Sequence, residues 1–175
     1  VQGIHSAPGK AVKEAYDSSG VVTNDRGITV WLKGNRVSRN QIMAIKEESV
    51  TDQKNSLTVC LDNILRHAGI TRNTEYDLAQ GKTAIQILEE NMTGVQVLDL
   101  SGCSLDAVLY YVNQDIPVLA ILEDGEAVLV TGFNEFNVVI MEPSTGKLYK
   151  KGMNDATTWF AENGNHFISY MKIEN

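Results

Sequence analysis

The residues of this chain that could carry nucleophilic chemistry are two cysteines and three histidines. A cysteine reacts as its thiolate, which requires an accessible thiol beside a group that lowers its pKa. His67 follows Cys60 on the same predicted helix, but about 10 Å of helical rise separates the two side chains. His166, near the last predicted strand, is a freer candidate base. One interpretation is therefore a hydrolase that uses Cys60 or Cys103 as nucleophile and His166 as base.

The element that would position Cys60 is a helix predicted over residues 55–69. Apolar side chains recur there at i, i+3, i+4, i+7, i+8 and i+11, which is typical of a helix with one buried face. They are Leu57, Cys60, Leu61, Ile64, Leu65 and Ala68. Gly69 stands where a glycine often ends a helix, and Ser56 opens the first turn with a hydroxyl group. Because Cys60 lies on the apolar face, a second interpretation is that it is an inert core thiol.

The surrounding pattern predicts an α+β fold. Helices are predicted over 83–91 and 104–112 and near 154–162, and an antiparallel meander follows from residue 117. This order predicts helices packed on one side of an antiparallel sheet. The amino end of the central helix is expected to face the strand edge near Glu126.

The amino-terminal part is expected to be an appendage. Residues 1–19 have no clear pattern and are interpreted as an arm, and 21–32 as a β-hairpin. A capping box from Ser38 to Gln41 predicts a short helix that ends near Glu48. The predicted division is an arm with hairpin and short helix over 1–49, and a main domain over 50–175.

Composition narrows the classes of function. A net charge of −7 and a pI near 4.9 argue against nucleic-acid binding, which needs a concentrated basic face. No apolar run reaches the roughly 18 residues of a membrane span. We predict neither a cofactor nor a bound metal, since no zinc-type spacing of ligands occurs. The chain begins at Val1 rather than Met, which indicates a fragment whose targeting segment was removed.

Three local sequences carry a resemblance to a known family. Gly69 follows Cys60 by nine positions, residues 125–133 read Gly-Glu-Ala-Val-Leu-Val-Thr-Gly-Phe, and residues 141–146 read Met-Glu-Pro-Ser-Thr-Gly. Over about residues 53–149 the chain resembles the papain-like cysteine peptidases that process double-glycine leader peptides of bacteriocins, and their secreted relatives. The resemblance implies a papain-like fold for residues 50–175.

The resemblance also implies site positions, each held by an unusual residue. The family's nucleophilic cysteine falls on Ser56, its histidine on Glu126 and its orienting acid on Glu142, while Gln53 is the candidate for the oxyanion glutamine. A serine needs a competent base to ionise near neutral pH, and two neighbouring carboxylates repel each other instead of forming a triad. The resemblance therefore indicates a degenerate member that lacks the catalytic cysteine and histidine.

The function expected from this reading is binding without catalysis. A peptide or protein partner would occupy the former substrate cleft, and the candidate binding residues are Asn55, Ser56, Glu126, Phe133 and Glu142. Two alternatives stay open: the hydrolase with Cys60 or Cys103 and His166, and an acidic cleft that holds a cationic ligand through Glu126 and Glu142. The habits of the relatives suggest a secreted or cell-surface bacterial protein.

Overall fold

The computed structural model describes residues 3, 5, 7–18, 20–33 and 41–174. The helices are α1 (Pro8–Ser18), α2 (Ser56–His67), α3 (Glu75–Ala79), α4 (Ala84–Asn91), α5 (Leu105–Asn113) and α6 (Met153–Glu162). The strands are β1 (Val21–Thr23), β2 (Thr29–Leu32), β3 (Gln41–Ile42), β4 (Val95–Asp99), β5 (Val118–Ile121), β6 (Ala127–Phe133), β7 (Asn137–Glu142), β8 (Lys147–Gly152) and β9 (Phe167–Lys172).

Seven of the described strands form one sheet in the order β4-β9-β5-β6-β7-β8, with β3 pairing to β6 beside this path. Every pairing in the sheet is antiparallel. Strands β1 and β2 form the separate predicted hairpin, with Gly27 at positive φ in its turn. The predicted α+β class, with helices packed on an antiparallel sheet, is confirmed.

Strand β6 runs through the middle of the sheet and is buried along its whole length. Successive side chains of a strand point to opposite faces, so both faces of β6 are covered. Both α2 and α5 contact β6.

Helix α2 keeps the predicted apolar face and the predicted glycine. Asn55 is the N-cap, since its Oδ1 accepts a hydrogen bond from the Thr58 backbone N–H at 2.9 Å. Ser56 is therefore the first helical residue and not the cap. Gly69 follows the C-cap with φ of 87°, the left-handed conformation that glycine adopts without a steric penalty.

The expectation of an unpatterned arm over residues 1–19 is wrong for the helical part, because residues 8–18 form α1. Val12 and Ala15 are buried on its inner side, and α1 packs against β4 and α5. The hairpin packs on α5. Trp31 Nε1–H donates to the Ala107 carbonyl at 2.9 Å, and the Tyr111 hydroxyl donates to the Val30 carbonyl at 2.7 Å. These contacts join the amino-terminal elements to the core.

The predicted short helix over 38–48 is also wrong where the structure describes it. Ser38 lies outside the described residues, Gln41 and Ile42 form β3, and no helix covers residues 43–50. Met43 donates its backbone N–H to the Thr131 carbonyl at 2.9 Å. Burial alternates along this segment, so tertiary pairing with β6 overrides the local capping signal. The polar stretch between α2 and α4 contains the short helix α3.

Candidate functional site

The first residue of α2 touches the start of β6. The Ala127 backbone N–H donates to Ser56 Oγ with 2.9 Å between nitrogen and oxygen, and Ser56 is 2% exposed. The expected contact between the amino end of the central helix and the strand edge near Glu126 is therefore present. Ser56 Oγ acts as an acceptor that joins the helix to the strand.

Glu126 and Glu142, which the resemblance assigns to the histidine and acid positions, have different surroundings. Glu126 is exposed just before β6, and its backbone N–H donates to Asp124 Oδ1 at 2.9 Å. Glu142 ends β7 and accepts hydrogen bonds from Thr145 Oγ1 at 3.0 Å and from the Tyr149 hydroxyl at 3.3 Å. Burial, the charge of Glu142 and this hydrogen bond raise the pKa of Tyr149 to about 12.

The β6–β7 register brings the two glutamates to the same end of the strand pair. Leu129 lies opposite Met141, so the antiparallel register sets Glu142 beside Val128, two residues from Glu126. The two glutamates thus present acceptor oxygens at one end of the β6–β7 pair.

The remaining predicted site residues are distributed differently. Gln53 is exposed, and its backbone N–H donates to Thr51 Oγ1 at 3.2 Å. Asn55 is exposed, but its side-chain oxygen is used to cap α2. Phe133 is only 2% exposed and is part of the hydrophobic core. Asn55, Ser56 and Glu126 are therefore close in sequence or space, whereas Phe133 faces the interior.

Both thiols are buried. Burial raises the pKa of Cys60 well above its ordinary value, and the charges of Glu48 and Glu126 add to this effect. Burial also raises the pKa of Cys103 to about 11, and Cys103 Sγ donates to the Gly9 carbonyl at 3.3 Å. A nucleophilic cysteine needs the opposite shift, toward thiolate near neutral pH.

The histidines do not supply an evident base for these thiols. His166 is exposed before β9, and its carbonyl accepts the Ile121 N–H at 3.0 Å. His67 Nε2 lies 3.0 Å from the Asp115 carbonyl oxygen. Within residues 7–18, 20–33 and 41–174, no hydrogen bond joins a histidine ring to a cysteine.

The sequence pattern does not predict the ionic cluster around the buried Asp62 of α2. Asp62 is 1% exposed and accepts from Lys54 Nζ at 2.9 Å, and its other oxygen accepts from the Thr74 backbone N–H and hydroxyl, both at 2.8 Å. The hydrogen bond to Asp62 raises the pKa of Lys54. This cluster fixes the segment before α2 and the loop after it. The apolar stripe marks only one face of α2 and gives no sign that Asp62 is also buried.

The described residues contain neither a helix able to cross a membrane nor a cluster able to hold a metal ion. None of their helices combines the length and the apolar character needed to cross a membrane. Among them, no three His, Cys, Asp or Glu side chains are grouped so that they could hold a metal ion.

Comparison with known proteins identifies the fold. No protein-family model matches the chain, and no curated protein is similar enough to match. Among solved structures, the chain is similar to the crystal structure of an inferred C39-like peptidase from Bacillus anthracis. The TM-score is 0.60 at 16% sequence identity, over 77% of this chain and 98% of that one. The chain therefore shares the α+β fold of a C39-like peptidase.

Proposed function

We propose that this chain is a non-catalytic papain-like domain, related to the bacteriocin-processing peptidases, which binds a peptide or a partner chain where its relatives bind substrate. The observation that carries the proposal is the hydrogen bond from the Ala127 N–H to the buried Ser56 Oγ. This bond gives a structural role to the residue that the resemblance assigns to the nucleophile. The likeness in fold supports a peptidase-like scaffold around this position.

The chemistry of the neighbouring groups supports the same conclusion. A hydroxyl nucleophile needs a base within hydrogen-bond reach, and the base must later return a proton to the leaving group. Glu126, which the resemblance assigns to the histidine position, is exposed to water. Glu142 is engaged by Thr145 and Tyr149. These residues can hold a ligand by hydrogen bonds and charge, and none of them is a proton shuttle of the imidazole type.

The expected ligand is an extended peptide that ends in two glycines, because the family that the chain resembles acts on such leaders. The exposed carboxylate of Glu126 stands beside the amino end of α2, where it can accept from peptide N–H groups or pair with a basic side chain. Asn55, also exposed, flanks the same position. The buried Ser56 would support the site from beneath.

The test combines binding with cleavage. A fluorescent double-glycine leader peptide is titrated into the protein, and the same mixtures are analysed for cleavage by mass spectrometry. We expect binding without cleavage, and weaker binding for Glu126→Gln, with Glu135→Gln in the exposed turn at the opposite end of β6 as the matched control. Cleavage by the wild-type chain that disappears in Cys60→Ala or His166→Ala would establish the hydrolase alternative instead. Equal affinity of Glu126→Gln and Glu135→Gln would show that the ligand does not bind at Glu126.

A further inference from the structure

Strand β4 forms one end of the large sheet, and part of its outer edge is open. Gly94 accepts from the Ile173 N–H at 2.9 Å, and Leu100 donates to the Phe167 carbonyl at 2.9 Å. In an antiparallel pair the residues alternate between those that bond to the neighbouring strand and those that do not. Gly94, Gln96, Leu98 and Leu100 therefore bond to β9, whereas Val95, Val97 and Asp99 direct their N–H and C=O groups outward.

Helix α1 covers only the far end of this edge. Gly9 packs so closely that an added Cβ would lie 3.0 Å from the Asp99 carbonyl oxygen and 2.9 Å from that of Ser101. At Val95 and Val97 no such cover exists within the described part of the chain, and a cavity of ≈ 350 Å³ lies there instead. Free main-chain groups at a sheet edge are a template for pairing with another chain.

The cavity is walled by elements on either side of the edge. One wall is the β1–β2 turn, which is fixed by a hydrogen bond from Asn24 Nδ2 to Gln96 Oε1 at 3.1 Å. The other wall is the end of α4, with Glu89 and Met92. The result is a short groove whose floor is the strand edge, with apolar side chains along it. Strands β9 and β5 separate it from β6 and hence from the Ser56 site.

The rim of the groove indicates the charge of its occupant. Arg26 already faces Glu174, with 3.9 Å between the charged atoms. Asp25 and Glu89 also line the groove, and neither forms an ion pair with any described residue. The carboxylates of Asp25 and Glu89 are therefore available at the rim to pair with a basic side chain. Alternating side chains of an added strand would reach the rim at every second position.

The geometry points to a second binding site, in which an extended peptide with a basic side chain adds as a strand to the outer edge of β4 at Val95 and Val97. Main-chain hydrogen bonds would give the affinity, and the groove walls would give the selectivity, as in other cases of strand addition. This site is separate from the cleft at Ser56 and does not depend on it.

The test uses an acetylated and amidated hexapeptide of alternating Val and Lys, with amide hydrogen exchange and NMR titration as readouts. We expect slower exchange at Val95 and Val97, and affinity that falls about two- to fivefold in Glu89→Gln, as for an exposed ion pair. Glu135→Gln, at an exposed position of the β6–β7 turn that belongs to neither site, is the control and should bind this peptide as the wild type does.

Methylation of the peptide nitrogens tests the main-chain bonds without changing the protein. Two peptides are made, each methylated at alternate residues in opposite phase. The peptide methylated at the nitrogens that face β4 should lose affinity by tenfold or more, and the peptide methylated in the opposite phase should keep its affinity. Equal affinity of both, no binding, or shifts centred away from β4 would overturn the proposal. Concentration-dependent dimerisation that protects Val95 and Val97 without peptide would also overturn it, because the occupant would then be a second copy of the chain.

Discussion

Removing one oxygen atom tests the structural role of Ser56. In Ser56→Ala the Ala127 N–H loses its acceptor, and both residues are almost fully buried. A buried donor left without a partner costs about 1–3 kcal/mol, more than the net value of the bond itself. The helical position favours alanine by a few tenths of a kcal/mol, which offsets only a small part. We expect the free energy of unfolding to fall by about 1–2.5 kcal/mol.

The assay is urea unfolding followed by circular dichroism, with thermal unfolding as a second readout. For a chain of this size, the change corresponds to a melting temperature lower by about 3–7 °C. The denaturant slope should not change, because the folded state stays equally compact. Ser144→Ala is the matched control, since Ser144 is exposed and exposed substitutions stay within about 0.5 kcal/mol. A Ser56→Ala protein as stable as Ser144→Ala would refute the structural role.

Two further predictions follow from the buried ionisable groups. Native protein should resist iodoacetamide at neutral pH, and Cys60 and Cys103 should be labelled only as fast as the chain unfolds, because burial holds both thiols protonated; rapid labelling of either would contradict this. The free energy of unfolding should also fall as pH rises from about 9 to about 12. The folded state keeps protons on Cys103 and Tyr149 that the unfolded state releases, so the unfolded state binds fewer protons and gains stability. Tyr149→Phe should flatten the upper part of that pH profile, and an unchanged profile would show that Tyr149 titrates normally when folded.

Much of the fold is readable from local pattern. Period and capping predict α2, α4 and α5, because amphipathic spacing and end signals lie within one element. The meander from β5 to β8 follows from short turns such as the one before Glu126. Helix α1 was missed although Pro8 stands at its first position, a common place for proline. Val12 and Ala15 are too few and too small to make a strong apolar face by themselves.

The errors have a common physical cause, which is tertiary contact that outweighs local preference. Residues 43–45 alternate between buried and exposed side chains. They do so because this segment pairs with β6, where the Met43 N–H donates to the Thr131 carbonyl. Asp62 is a polar residue off the predicted stripe, and its burial depends on Lys54 and Thr74 from outside the helix. Contacts of this kind join segments that no local window contains.

The sequence indicates where Ser56 lies in the helix but not what its hydroxyl group does. Spacing to Gly69 fixes its place in the first turn, and the resemblance makes that place the nucleophile position. The sequence does not predict that Ser56 Oγ accepts from the Ala127 N–H, because Ala127 lies 71 residues away. A cysteine sulfur is a weak acceptor, so a thiol there would hold the strand less firmly than the hydroxyl does. A hydroxyl at Ser56 therefore favours a fixed helix–strand contact over a reactive group, which is the arrangement that the proposed function requires.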